Sequence, residues 1–239
     1  MNVLEELAAE FFDKTWNLLV SVLPLDEQLV TAHADSNRDN GTVVFELTLP
    51  LAYKGDALED DNLPESFSDL FRAVIRYVMC LDTTGEYLSV SQSKFELRVH
   101  TSPGIRFEYE RGNTSAPAAH IHYSGTGGLL SPVLMRNFSG TKDHRKKGDI
   151  QKLHLPVGGR RFRPSLEEFL YFLIQECGFR ARAGWQNVVL ESREEWLDTQ
   201  LSAAVRDNPA VARQELERLG YLVELPEHGE VPKARRLGW

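Results

Sequence analysis

Two histidines one residue apart, His120 and His122 in "AHIHYSG", are the first candidates for chemistry in this chain. On a strand, residues i and i+2 share a face and lie about 7 Å apart along the chain. Paired imidazoles in that arrangement can divide general acid and base work on a phosphodiester, or ligate a metal. They can also be ordinary hydrogen-bonded residues of a sheet face. His154, in "LHLPV", falls on another strand-like segment and is the third candidate. A cupin-like metal site adds a carboxylate soon after such a pair, yet no Asp or Glu occurs between His122 and Asp143.

A second stretch, "HLPVGGRRFRPSLEEF" (154–169), has the composition of an anion site. Gly158 and Gly159 permit close backbone approach. Arg160, Arg161 and Arg163 supply guanidinium groups, which bind phosphate in a bidentate manner. A helix start follows, whose positive end favours negative charge. The Gly-Lys-Ser/Thr ending of a phosphate-binding loop is missing, and the glycine spacing of a dinucleotide fingerprint is absent. No cofactor is expected. Between the two motifs lies "KDHRKKGD" (142–149), in which Lys147 is a candidate phosphate contact. Tyr109, on a neighbouring strand-like segment, is a candidate hydrogen-bond donor.

These residues need a scaffold, and the patterning predicts an α+β fold. Helices are expected over 3–23, 64–81, 165–178, 192–207 and 208–221. Capping boxes are read at Ser165/Glu168 and Ser192/Glu195, and Asn208 with Pro209 opens the last helix. Strands are expected over 42–50, 94–100, 105–111, 119–125 and 152–157. The sheet is expected to be mostly antiparallel and flanked by helices, with a C-terminal helical hairpin. The organisation expected is an α+β body over 1–190 and a helical extension with tail over 191–239, or a single domain spanning both.

The charge is unevenly distributed. The 239 residues carry a net charge of −8. Residues 136–163 nevertheless hold nine Lys/Arg against two Asp/Glu, a net of +7. An acidic body with one basic segment argues against wrapping a duplex and allows a local anion site. The two cysteines, Cys80 and Cys177, sit in apolar runs, and no Cys-x-x-Cys pair exists. That usage fits a reducing compartment. Glu5, Glu6 and Glu10 precede the first basic residue, unlike a targeting peptide. A cytoplasmic protein with no membrane association is expected.

A strand carrying His-x-His, a cationic loop and "PVGGRRFRP" opening a helix resembles uncharacterised bacterial proteins, some from toxin–antitoxin or defence loci. The resemblance covers about residues 90–180 and implies a nucleic-acid-directed role. Three readings follow. The first is a metal-independent, ribonuclease-like phosphodiesterase with His120, His122 and His154 as catalytic groups and Arg160, Arg161, Arg163, Lys147 and Tyr109 on the ligand. The second is a non-catalytic module that binds a nucleotide, RNA or an acidic partner, with the C-terminal helices as a protein-docking element. The third is a metal-dependent enzyme using the three histidines.

Overall fold

A computed structural model describes residues 2–37, 39–52, 67–68, 70–113, 116–124, 155–157, 161, 163–227 and 229. The expected basic loop, His154, Lys147 and Arg160 lie outside the described residues.

Helix α1 (Val3–Val22) starts on a capping box between Asn2 and Glu5 and buries Leu4, Ala8, Leu18, Leu19 and Val22. Pro24 then bars its continuation. Among the described residues, seven strands follow, paired antiparallel in chain order. They are β1 (Thr31–Asn37), β2 (Thr42–Pro50), β3 (Phe71–Leu81), β4 (Leu88–Val99), β5 (Ser102–Glu110), β6 (Ala119–Tyr123) and β7 (Leu155–Pro156). The chain then forms α2 (Leu166–Tyr171), a π turn (Phe172–Glu176), α3 (Trp185–Asp207) and α4 (Pro209–Arg218). The α+β class and the antiparallel sheet are as expected.

One element differs in kind. The helix expected over 64–81 is strand β3 in its described part. Ala73, Ile75, Tyr77 and Met79 are buried towards the helices, and Val74 on the opposite face is fully buried as well. Burial on both faces blurs the period of two, leaving apolar positions that also satisfy a helical spacing. The β-branched and aromatic content of "FRAVIRYVMCL" favours the strand.

Two helices differ in extent. Helix α3 begins at Trp185, after Gly184 in the left-handed conformation (φ 73°). The Ser192/Glu195 pair is therefore mid-helix and caps nothing; Ser192 instead donates to Glu167 Oε1 at 2.6 Å. A 190/191 division falls inside this continuous helix, whose Trp185 and Val189 belong to the main core. The helix expected over 165–178 keeps its Ser165/Glu168 box but passes into the π turn after Tyr171.

The helices cover one face of the sheet. Phe45, Tyr77, Phe95 and Phe107 point there and meet Phe11, Phe12, Phe169 and Phe172. Phe95 and Phe169 stack at 5.9 Å and are almost fully buried. Each ring of this kind contributes about 2–3 kcal/mol by burial. Strand alternation sends the intervening residues to the other face. There the cross-strand register aligns Glu46, Arg76, Lys94, Glu108 and His120 in one row. A second row runs Thr48, Val74, Glu96, Arg106 and His122. Among the described residues, no helix is long and apolar enough to cross a membrane.

Candidate functional site

The chemistry-bearing residues meet at the β5–β6 end of the second face. Glu108 lies directly opposite His120, and Arg106 opposite His122. Opposed residues of an antiparallel pair place their Cβ atoms about 4.5–5.5 Å apart, so both imidazoles reach one carboxylate. His120 and His122 are buried, at 4% and 7% exposure. Ile121, between them, turns to the helix side, where it is paired with Phe107.

The atoms converge closely. His122 Nε2 lies 3.0 Å from Glu108 Oε2 and His120 Nε2 lies 3.5 Å from the same oxygen. The two Nε2 atoms are 3.1 Å apart. The rings stand nearly perpendicular, at 81°. His120 Nδ1–H donates to the Pro117 carbonyl at 2.7 Å. A carbonyl oxygen only accepts, so the proton of neutral His120 sits on Nδ1 and its Nε2 presents a lone pair to the cluster.

Burial alone would raise the Glu108 carboxyl. The close approach of His120 and His122 and the charge of Arg106 outweigh it and hold the group well below the usual carboxylate range. Arg106 Nη1 is 3.4 Å from Glu108 Oε1. Glu108 is thus an anion that directs one oxygen to Arg106 and the other to both imidazoles.

Three donor atoms separated by 3.0, 3.1 and 3.5 Å match a metal-binding set. An ion with bonds of about 2.0–2.1 Å holds donors about 3.4 Å apart in tetrahedral geometry and about 2.9 Å apart in octahedral geometry. Ligating histidines commonly donate their other ring N–H to a backbone carbonyl, which fixes ring and tautomer, as Pro117 does for His120. Without a cation, the single Nε2–H of neutral His122 is shared between the His120 lone pair at 3.1 Å and the Glu108 oxygen at 3.0 Å.

The cluster borders a hollow of about 340 Å³, lined also by Arg76, Gln92, Lys94, Tyr109, Glu110 and Asn113. Gln92 and Asn113 both donate to the Glu110 carboxylate, at 3.4 and 2.9 Å. Lys94 and Arg76 hold looser partners. Each is 3.5 Å from a carboxylate oxygen, on Glu96 and Glu46 respectively.

The described arginines of the glycine turn go elsewhere. Arg161 donates to Asp207 at the end of α3 at 2.8 Å. Arg163 lies over the Tyr109 ring at 4.5 Å, approaches Trp196 and donates to Gln200 Oε1 at 3.3 Å. Tyr109, paired with Ala119, borders the hollow by its place on β5, but its ring, under Arg163, lies on the helix-covered face, one residue out of phase with Glu108. The structure therefore joins His120 to His122 but sets Arg161, Arg163 and the Tyr109 side chain across the sheet from them. The chain enters α2 straight after this turn, and α2 packs on the helix side.

Glu108 is not among the candidates that residue types and spacing single out in the sequence. The available signal was proximity: "IRFEYER" and "AHIHY" are strand-like, close in sequence and able to pair. No family model matches the chain, and no match arises among curated proteins or solved structures.

Proposed function

We propose that the protein is a divalent-metal-dependent hydrolase whose ion is held by Glu108 Oε2, His120 Nε2 and His122 Nε2. The observation that carries this reading is the mutual spacing of those three atoms, with His120 locked by Pro117. Two imidazoles and a carboxylate suit a borderline ion such as Zn²⁺. Three protein ligands leave positions for water and for an oxygen of the substrate. The lining of charged and amide side chains suits a polar substrate and a water nucleophile.

A metal-independent phosphodiesterase, with His120 and His122 as acid and base, is the second reading. The approach of both rings to Glu108, at 3.0 and 3.5 Å, favours it. Its weakness is geometric. Entering and leaving oxygens lie on opposite sides of phosphorus, whereas Nε2 atoms 3.1 Å apart address a single point.

Zinc titration by calorimetry separates the two. One equivalent bound by the wild type, and lost in His120→Ala with His122→Ala, supports the metal reading. No stoichiometric uptake by the wild type removes it. Chelator-sensitive turnover of p-nitrophenyl esters by the zinc-loaded protein tests the hydrolase assignment; metal uptake without turnover of carboxylate or phosphate esters reduces it to a metal-binding protein.

A further inference from the structure

Resting on that metal reading, we infer that the hollow beside Glu108 selects a small phosphate monoester, with Lys94 and Arg76 holding the phosphate against the ion. The row Arg76–Lys94–Glu108–His120 sets these cations on the two strands next to the carboxylate, all on one face. Both line the same hollow as the histidines.

Their existing partners leave them able to take an anion. Glu96 is already held by Arg98, whose Nε is 2.9 Å from Oε1 and whose Nη2 is 3.5 Å from Oε2. Lys94 stands at 3.5 Å from that same carboxylate, the outer of its two cationic neighbours. The Arg76–Glu46 pair is also 3.5 Å long, with both side chains partly exposed. Pairs of that kind contribute about 0–1 kcal/mol and yield readily to a better-placed anion.

Charge selects the class. A divalent ion on Glu108 carries a net single positive charge, Lys94 and Arg76 add two, and Glu110 on the same lining takes one away, which leaves two positive charges. That arrangement favours a dianion over a monoanion. It disfavours a polymer. Beyond these cations the face alternates in charge, with Glu46, Glu96 and Glu110 interleaved with Arg98 and Arg106, so it offers no continuous cationic track for successive phosphates of a nucleic-acid backbone. A volume of about 340 Å³ is that of a small-molecule site.

The test uses phenylphosphonate, a dianion that mimics a monoester and resists hydrolysis, and its monoanionic methyl ester. Both are titrated into the zinc-loaded chain by calorimetry. Phenylphosphonate should bind at least tenfold more tightly than the methyl ester. Lys94→Gln and Arg76→Gln should each weaken it at least tenfold while leaving zinc affinity unchanged. Lys94→Arg, which keeps the charge, should retain binding and serves as the folding control. Equal affinity for the two probes, or glutamine variants indistinguishable from wild type, overturns the inference with the metal site intact. Absence of zinc uptake by the wild type is a different failure, that of the metal reading itself.

Discussion

His120 and His122 bring their Nε2 atoms to 3.1 Å of one another across a single carboxylate oxygen of Glu108. Two imidazoles and a carboxylate at such separations need either a shared N–H hydrogen or a metal ion between them. The metal satisfies all three atoms at once, whereas the Pro117 bond has already committed the Nδ1 proton of His120.

Loss of any ligand should therefore cost metal and not fold. Glu108→Gln, His120→Ala and His122→Ala should each weaken zinc binding by at least tenfold, an effect seen even for residues that only orient ligands. Zinc at 100 times its Kd should stabilise the wild type by about 2.7 kcal/mol. Thermal melts with and without zinc check this; a Tm increase that survives in all three variants contradicts it.

Ligation needs unprotonated ring nitrogens and an ionised carboxylate, so acid competes with the metal. Zinc affinity should fall as pH drops, with protons released on binding at low pH. Calorimetry in buffers of different ionisation enthalpy reads that release directly. Affinity independent of pH between pH 8 and pH 5 contradicts the account.

The arginine turn should prove structural. Arg163→Met removes the contact with Tyr109 and the bond to Gln200, and should cost about 1–2 kcal/mol. Zinc affinity should stay within twofold of wild type, because Arg163 lies across the sheet from the imidazoles. Denaturant unfolding and metal titration of the same variant separate the two effects.

Acid should loosen the β3–β4 hairpin through Asp82. Its carboxylate accepts from the Thr84 hydroxyl at 2.7 Å and from the backbone N–H groups of Thr84, Glu86 and Tyr87. Burial pushes this carboxyl up, but those bonds together pull it below its ordinary value. A carboxyl depressed on folding stabilises the native state above its unfolded value of about 3.9. That contribution is lost as pH falls through the lower, folded value. Asp82→Asn should thus lower Tm at neutral pH, and the gap to wild type should close below about pH 4. A gap unchanged by acid contradicts this.

What the sequence disclosed depended on how local the signal was. The Ser165/Glu168 box, the Pro209 start and the alternation of β2 and β5 are short-range patterns, and each became the expected element. Strand β3 was obscured because Val74 and Ile75, adjacent in sequence, are both fully buried, on opposite faces. The Ser192/Glu195 pair imitates a cap, since the motif alone does not reveal that α3 began seven residues earlier.

The site divided in the same way. That His120 and His122 share a face follows from period two alone. Glu108 as their partner follows only from the β5–β6 register, which is a tertiary fact. The arginine-rich turn had the composition of an anion site, yet Asp207 at the end of α3 holds Arg161, and the Tyr109 ring and Gln200 hold Arg163. Guanidinium groups stack on rings as readily as they bind phosphate.

An anomalous difference map, recorded at the zinc edge from crystals grown with one equivalent of zinc, tests the centre most directly. The account predicts one strong peak about 2.0–2.2 Å from Glu108 Oε2, His120 Nε2 and His122 Nε2. A zinc peak elsewhere, with the two ring nitrogens still 3.1 Å apart and bridged only by a proton, contradicts it.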